Sequence, residues 1–484
     1  MRRAAPCGLA ALALAGCTLE PHYVRPAPAI PAAWPTGPAY PQAAAALPAL
    51  SYRDLFKDVR LVRLIDRALA DNQNLRAALA NVEIARAQYR GQRAELFPHV
   101  DAEAAATQTH ARSTIGGTTP IGEARTTRDY QANLGLAAFE IDLFGRLRSL
   151  THAAFDQYLA SAAGARAARL TLAREVADAY LTLAADRSLL AIADDTVAST
   201  TRTVALTQAR LAHGVAPRTG LAQAQTLLEQ ARSDQAQLTT QVAQDRNALA
   251  LLVGGRIGDA LLPRGIDEEN GQLAAAPAGL DSHILLRRPD VAQAELQLRA
   301  ANAQIGAARA AFFPTISLTG LAGFASPQLS SLFDHGNFTW EGQGAGSLPI
   351  FAGGANLANL QAARGQRDLA LANYQNAIQA AFRDVADALA RRGTIQQQLA
   401  AQQALATAAQ TSYDLSLARY RGGIDPYLNV LIAQRTLYTA RQSLAQTRLA
   451  GAQNLVALYA ALGGDPLIAA MPVALPAAAP KPSG

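Results

Sequence analysis

The sequence predicts an α+β membrane protein built from one unit made twice, each copy joining long coiled-coil helices to a β-hairpin. Three observations carry the duplicated architecture, and the lipobox-like start of the chain adds the membrane. The three are an internal repeat, two long proline-free stretches, one with seven-residue apolar spacing, and period-two patterning that follows a proline in each copy. Residues 74–98 recur as 290–314, so that Pro314 repeats Pro98 at an offset of 216 positions. Residues 209–215 recur as 418–424, and 250–255 as 459–464, both at an offset of 209. Copies this long are not solenoid repeats; they are two versions of one module.

The helices follow from length and period. Residues 146–213 contain no proline, and at ~1.5 Å per residue they span about 100 Å. Residues 352–421 are their counterpart, and shorter helices follow each at 218–253 and 427–462. A helix of this length needs a coiled-coil partner. Val176, Leu183, Leu190, Val197, Val204 and Leu211 are spaced by seven, which implies left-handed supercoiling. The second copy sets Val385, Arg392, Leu399, Ala406, Tyr413 and Tyr420 at the same positions. Turns at 212–217 and 421–426 place glycine after the long helix and proline before the next. Both turns therefore lie at one end.

The strands follow Pro98 and Pro314. Val100, Ala102, Ala104 and Ala106 alternate with Asp101, Glu103 and Thr107. Beyond a polar loop over 113–128, Tyr130, Ala132, Leu134 and Leu136 alternate with Gln131, Asn133 and Gly135. The second copy alternates Ile316, Leu318 and Gly320 with threonine and serine, then Phe338 and Trp340 with Thr339, Glu341 and Gln343. The hairpins are expected at about 99–142 and 315–350. Pattern alone fits a transmembrane barrel and soluble half-buried hairpins equally. If the strands cross a membrane, four cannot close a barrel and open edges are not tolerated in hydrocarbon. Two or more chains must then share one barrel.

The ends set the compartment. Arg2 and Arg3, an apolar stretch over 9–15 and Leu14-Ala15-Gly16-Cys17 form a secretory signal over 1–16 with a lipobox-like end. This predicts cleavage before Cys17, acylation of Cys17 and, with Thr18 following, outer-membrane sorting. Removing Arg2 and Arg3 takes the 43 basic residues to 41 against 37 acidic ones. That excess is too small and dispersed for nucleic acid. No apolar run reaches the ~20 residues of a membrane-spanning helix. The expected organisation is a Pro/Ala-rich arm over 17–57, a first repeat over 58–265, a second over 275–464 and a disordered tail over 465–484.

Several motifs then carry a family resemblance. They are Phe139-Glu140-Ile141-Asp142-Leu143-Phe144-Gly145-Arg146, Leu286-Arg287-Arg288-Pro289-Asp290-Val291, Ala311-Phe312-Phe313-Pro314, and Ala418-Arg419-Tyr420-Arg421-Gly422-Gly423-Ile424-Asp425 with Gln434-Arg435 beyond. Together with the lipobox and the duplication, they resemble the TolC-type outer-membrane efflux proteins, in the OprM/NodT-like lipoprotein branch. The resemblance implies a homotrimer whose twelve-stranded outer-membrane β-barrel continues into a periplasmic α-helical barrel. It also implies a periplasmic adaptor (membrane fusion) protein and an inner-membrane pump of the resistance-nodulation-division class as partners, besides outer-membrane lipid. Under it, Arg210, Leu211, Gly214 and Val215 sit beside Arg419, Tyr420, Gly423 and Ile424 at adaptor-docking tips. Plain helix-turn-helix chemistry would explain the glycines but not both arginines.

One departure concerns the periplasmic gate. The family commonly carries acidic residues a few positions after the second tip; here those positions hold Asn429 and Ile432, with Asp425 nearby on the turn. This puts an acidic ring in doubt. Tyr420 is either part of the aperture or a packed coiled-coil tyrosine. No catalytic constellation is present. The histidines are scattered without metal-ligand spacing, there is no phosphate loop, and neither cofactor nor metal is expected. The implied function is a passive duct for drugs or other small molecules. The exit duct of a type I protein-secretion system and a structural coiled-coil lipoprotein are the competing readings.

Overall fold

A computed structural model describes residues 18–40, 51–115, 119–269, 282–463 and 465–471. The signal over 1–16, the acylation site Cys17 and the tail from 472 lie outside the described residues. The chain divides into two compact units: Met1–Pro26, Ile84–Ala160 and Glu295–Asn373 in the first, and Ala27–Glu83, Ser161–Ala294 and Tyr374–Gly484 in the second. Its elements run α1 (Tyr52–Leu55), α2 (Val59–Asp71), α3 (Gln73–Ala94), β1 (Val100–Ile115), β2 (Thr119–Ile141), α4 (Arg146–Ala212), α5 (Arg218–Val253) and α6 (Ile266–Glu269). There follow α7 (Pro289–Ala310), β3 (Thr315–Ser326), β4 (Phe338–Ser347), α8 (Ala355–Arg421), α9 (Tyr427–Leu462) and α10 (Pro466–Ala470). The described residues are mostly helical, with one sheet among them. The duplication reappears in the element lengths: α4 and α8 have 67 residues each, α5 and α9 have 36, and α3 and α7 have 22.

The first unit holds an antiparallel four-stranded sheet in the order β1-β2-β3-β4. Its register gathers apolar side chains on one face. Val100 stands across from Leu136 and then Gly320; Ala102 from Leu134, Ala322 and Trp340; Ala104 from Ala132, Phe324 and Phe338. The other face carries Glu103, Gln131, Asn133, Thr339, Glu341 and Gln343, with Leu321 as an apolar member. The first hairpin differs from expectation. Residues 113–128 are not simply a loop, because the paired strands continue through Ile115 and from Thr119. The sequence there does not alternate, while the backbone ladder persists. A register shift between Leu136 and Phe139 places Ala138 at φ 43°.

The strand-to-helix corners explain two of the motifs. Glu140 accepts from Arg146 (Nε, 2.8 Å), and the Asp142 carboxylate accepts the backbone N–H of Arg148 at 2.9 Å, capping the start of α4. Phe144 and Phe313, from the two copies, stack with ring centroids 4.7 Å apart. The first described residues of the arm lie along α7. Arg309 donates to the carbonyl of Leu19 (3.1 Å), Asn302 to that of Pro21 (2.7 Å), and Arg25 makes a two-bonded pair with Glu295 (2.9 and 2.7 Å).

The second unit is built of packed helices. Its heptad stripe is only partly buried: Val176 and Leu183 are fully buried, whereas Leu190, Val197, Val204 and Leu211 are half-buried. Ala193, Thr196, Thr200, Thr203 and Thr207 take over the buried line. A helix at 3.6 residues per turn rotates by roughly 20° per heptad against a seven-residue stripe, so the inward face drifts to neighbouring positions. The threonines sit inside because each hydroxyl donates to the carbonyl four residues back, at 2.6–3.0 Å. Arg288 donates to the Ala461 carbonyl at the end of α9 (2.7 Å) and pairs with Asp290 at the start of α7 (2.7 Å). Burial would raise the Asp290 carboxyl, but Arg288 outweighs it and holds it below the usual range.

The tail expectation is corrected near its start. Asp465 is buried, caps α10 through the N–H groups of Leu467 (2.8 Å) and Ile468 (3.1 Å), and accepts from the Tyr52 N–H (2.9 Å) and the Tyr459 hydroxyl. Proline at the first helical position and a buried Ile468 complete the cap. Residues 465–471 are thus folded into the second unit.

Glu269 is buried at 2% exposure against Arg60 (2.8 Å). Burial first, then the Asp58 carboxylate, push its pKa up to about 7. The unfolded side chain ionises near ~4.3, so between that pH and about 7 the folded state binds more protons and stability falls as pH rises. Below that window the penalty is absent; above it the penalty is complete. Glu269→Gln is expected to flatten this part of the pH–Tm profile, measured by thermal unfolding from pH 4 to 8.

Candidate functional site at the helix tips

The two turns joining long to short helices come together in the second unit. Each is the same closing motif. The N–H of Gly214 bonds to the Leu211 carbonyl (3.0 Å) and that of Val215 to the Arg210 carbonyl (2.9 Å). In the second copy Gly423 bonds to Tyr420 (3.0 Å) and Ile424 to Arg419 (2.9 Å). This six-to-one and five-to-two pair needs a left-handed residue, which Gly214 (φ 71°) and Gly423 (φ 74°) supply. Pro217 and Pro426, extended at ψ 150° and 153°, then redirect the chain into α5 and α9.

The geometry projects an apolar side chain from each turn. Val215 is 72% exposed and Ile424 66%, while Gly214 and Gly423 are bare beside them. Leu211 is half-buried. Tyr420 is 4% exposed and belongs to a cluster with Ala224, Leu227, Tyr427, Val430 and Leu431. Its side chain is packed within the coiled coil. Its hydroxyl lies 3.3 Å from Thr207 Oγ1, and its ring meets Tyr427 edge-on at 5.5 Å.

The arginines tie the tips down in different ways. Arg210 stacks over the Tyr420 ring (4.4 Å) and donates to the carbonyls of Tyr420 (2.9 Å) and Arg421 (3.2 Å). A guanidinium thus satisfies the end of α8, where carbonyls lack helical partners and the dipole is negative. Arg419 instead pairs with Asp425 on its own turn, at 2.5 and 3.1 Å. That bond holds the Asp425 carboxyl below the usual range, with a smaller contribution from Asn429. Asp425 is therefore neutralised within the chain. Asn429 is exposed and Ile432 is 56% exposed on α9.

Sequence reading missed the Arg210 cap, the Arg419–Asp425 pair and the threonine line ending at Thr207. Only the last left a signal, since 196, 200, 203 and 207 recur at helical spacing. The other two depend on which turn an arginine reaches for.

The profile of outer membrane efflux proteins matches residues 64–255 and 280–464. The chain belongs to the outer membrane efflux protein family. This efflux protein is 43% identical over 461 residues to the solvent efflux pump outer membrane protein SrpC of Pseudomonas putida, covering 94% of this chain and 97% of that one. It is 40% identical over 456 residues to outer membrane protein OprJ of Pseudomonas aeruginosa, covering 94% of each. Among solved structures, the open-state outer membrane channel MtrE of Neisseria gonorrhoeae superposes with a TM-score of 0.82 at 35% identity, covering 93% of this chain and 98% of that one. CusC superposes with a TM-score of 0.81 at 37% identity, covering 93% and 100%. The efflux protein is thus an outer-membrane channel component of an efflux system.

Arg210→Ala is expected to open the last turn of α8. Hydrogen bonds from a charged donor are worth about 1.5–3 kcal/mol each, and exposure puts this pair at the low end. Amide exchange at Gly422, Gly423 and Ile424 should accelerate roughly tenfold, while Arg210→Lys recovers little of the protection because an ammonium lacks the guanidinium fork.

Proposed function

We propose that three copies of this chain complete one twelve-stranded barrel in the outer membrane, continued by a helical periplasmic duct, and that the assembly passively exports drugs or solvents delivered by a pump. The observation that carries this reading is the four-stranded sheet. One face is apolar across every strand and β1 and β4 are its outer strands, with unshared edges. Apolar positions run from residue 130 to 141 on β2, about 25 Å when the strand is tilted by ~40°, which is the height of an outer-membrane apolar band. Tyr130, Phe324, Phe338 and Trp340 cluster toward one end of it, as an interfacial girdle requires. The polar face then lines the channel.

Lipidation at Cys17 is supported by the arm. Leu19 is held by Arg309, five residues before the proline that opens β3. Acyl chains on the residue just before Thr18 would leave the protein where its strands begin, at a membrane surface. The tips are proposed as the docking face for a periplasmic adaptor, linked to an inner-membrane pump of the resistance-nodulation-division class. Val215 and Ile424 are its apolar contacts, and Gly214 and Gly423 leave room for an approaching helix. Arg210, Leu211, Arg419 and Tyr420 are assigned to holding that face in shape. The gate is assigned to the segment bearing Asp425, Asn429 and Ile432. Because Arg419 already neutralises Asp425, closure would rest on amide and apolar groups. The names of the relatives, which include solvent and antibiotic efflux pump proteins, favour small-molecule efflux over protein secretion.

Two tests follow. Deleting the gene should raise accumulation of a fluorescent efflux dye, and the intact chain should restore the original level; an unchanged level contradicts the efflux reading. Leu136→Arg sets a charge on the apolar face in the middle of this span, at about 2–4 kcal/mol near the bilayer midplane, and should abolish outer-membrane insertion. Asn133→Arg, on the polar face, should insert normally. Equal insertion of both would contradict the assignment of faces, read by membrane fractionation.

A further inference from the structure

The apolar face of the sheet ends in a basic patch. Followed along β1 and β2 away from the helices, that face passes from Ala104 and Ala132 through Ala106 and Tyr130 to Gln108 and Arg128, then to His110 and Thr126. The last two pairs are bonded across the strands. Arg128 donates through Nε to Gln108 (3.3 Å), and His110 Nδ1 lies 2.8 Å from Thr126 Oγ1. Arg112, left unpaired by a register shift between Ala111 and Ser113, adds a second guanidinium at this end. Among the described residues neither arginine is in an ion pair. Gln108 is neutral, so the positive charge here stands unmatched.

Beside the patch, on the side nearer the helices, the sheet carries a groove of about 480 Å³. Ala104, Ala132 and Ala322 line it with small side chains, and Phe324, Phe333 and Phe338 with rings. Phe333 reaches it from the turn between β3 and β4, meets Phe324 edge-on at 5.4 Å and stays 70% exposed. The turn itself is tied down. The Ser326 and Ser331 hydroxyls lie 2.8 Å apart, and Asn337 donates to the Ser331 carbonyl at 2.6 Å. Adjacent strands are ~4.8 Å apart, about the width of one hydrocarbon chain.

We propose that this face binds a phosphorylated lipid of the outer leaflet, the lipid A part of lipopolysaccharide, with an acyl chain in the groove and phosphate at Arg128 and Arg112. The inference rests on the barrel proposed above, in which the apolar face meets lipid and the helices lie in the periplasm. The helices join β1 and β2 at Val100 and Ile141, so the patch at the far end belongs to the outer leaflet. Arg128 is two residues beyond Tyr130, ~7 Å along the strand, which sets it just past the aromatic girdle, at the height of the headgroups. From Ala132 to Arg128 the strand rises ~13 Å, which leaves room for the ester and sugar between an acyl chain and its phosphate. A guanidinium grips phosphate through two parallel N–H bonds. Lipid A, phosphorylated at both ends of its sugar core, offers these arginines more charge than the single phosphodiester of a phospholipid.

Native mass spectrometry of the detergent-extracted full-length protein, titrated with diphosphoryl lipid A or with phosphatidylglycerol, tests the site. Lipid A is expected to bind the more tightly of the two. Arg112→Gln with Arg128→Gln should weaken lipid A binding roughly twenty-five-fold, at about fivefold for each arginine near a headgroup. Ala132→Phe, which fills the groove, should weaken it as well. Arg125→Gln removes the same charge from the opposite face, across from Ala111, and should leave binding unchanged. Equal binding of the two lipids, or lipid A binding that survives the double substitution, would overturn the inference. Membrane fractionation separates that failure from a failure of the barrel reading. A chain that inserts in the outer membrane without the lipid preference refutes the site alone, whereas a chain absent from that membrane refutes the reading on which the site rests.

Discussion

A strand edge in hydrocarbon leaves its backbone N–H and C=O groups without partners, at several kcal/mol for each group. Among its described residues this chain makes a sheet with an apolar face and four strands, bounded by β1 and β4. The two facts conflict for an isolated chain inside a bilayer and agree for several chains sharing one closed barrel. The proposed assembly follows from that conflict, as does the need for a symmetric duct. Each copy of the repeated unit supplies one hairpin and one long helix, so the duplication sets both the strand count and the helix count.

The helical part obeys a different constraint. Two 67-residue helices must bury a continuous face over their whole length, and a seven-residue stripe alone does not stay aligned with a 3.6-residue helix. The chain answers with small residues and with threonines that satisfy their hydroxyls on their own helix. Thr196, Thr200, Thr203 and Thr207 are buried without demanding donors or acceptors from neighbouring helices. Such a seam is polar by composition and closed by hydrogen bonding.

Much of the fold was legible because the repeat is written in residues that carry backbone instructions. Gly214 and Gly423 mark left-handed helix ends, and Pro98 and Pro314 mark helix-to-strand corners. The alternation of Val100, Ala102 and Ala104 with acidic neighbours marks a two-faced strand. Where the residues do not alternate, as beyond residue 113, strand reads as loop. The fold of Asp465 was illegible because its worth depends on Tyr52 and Tyr459, which reach it from far away in sequence or across a turn. At the tips the sequence located the residues but not their roles. Tyr420 is packed, Arg210 crosses to the carbonyls ending α8, and Arg419 pairs with Asp425 on its own turn.

The most direct test of the shared barrel is electron cryomicroscopy of the full-length, acylated protein in lipid nanodiscs. The account predicts a three-fold axis and one closed barrel of twelve strands, with β1 of each chain paired to β4 of the next. An isolated chain with open sheet edges, or a barrel with another number of strands, would contradict it.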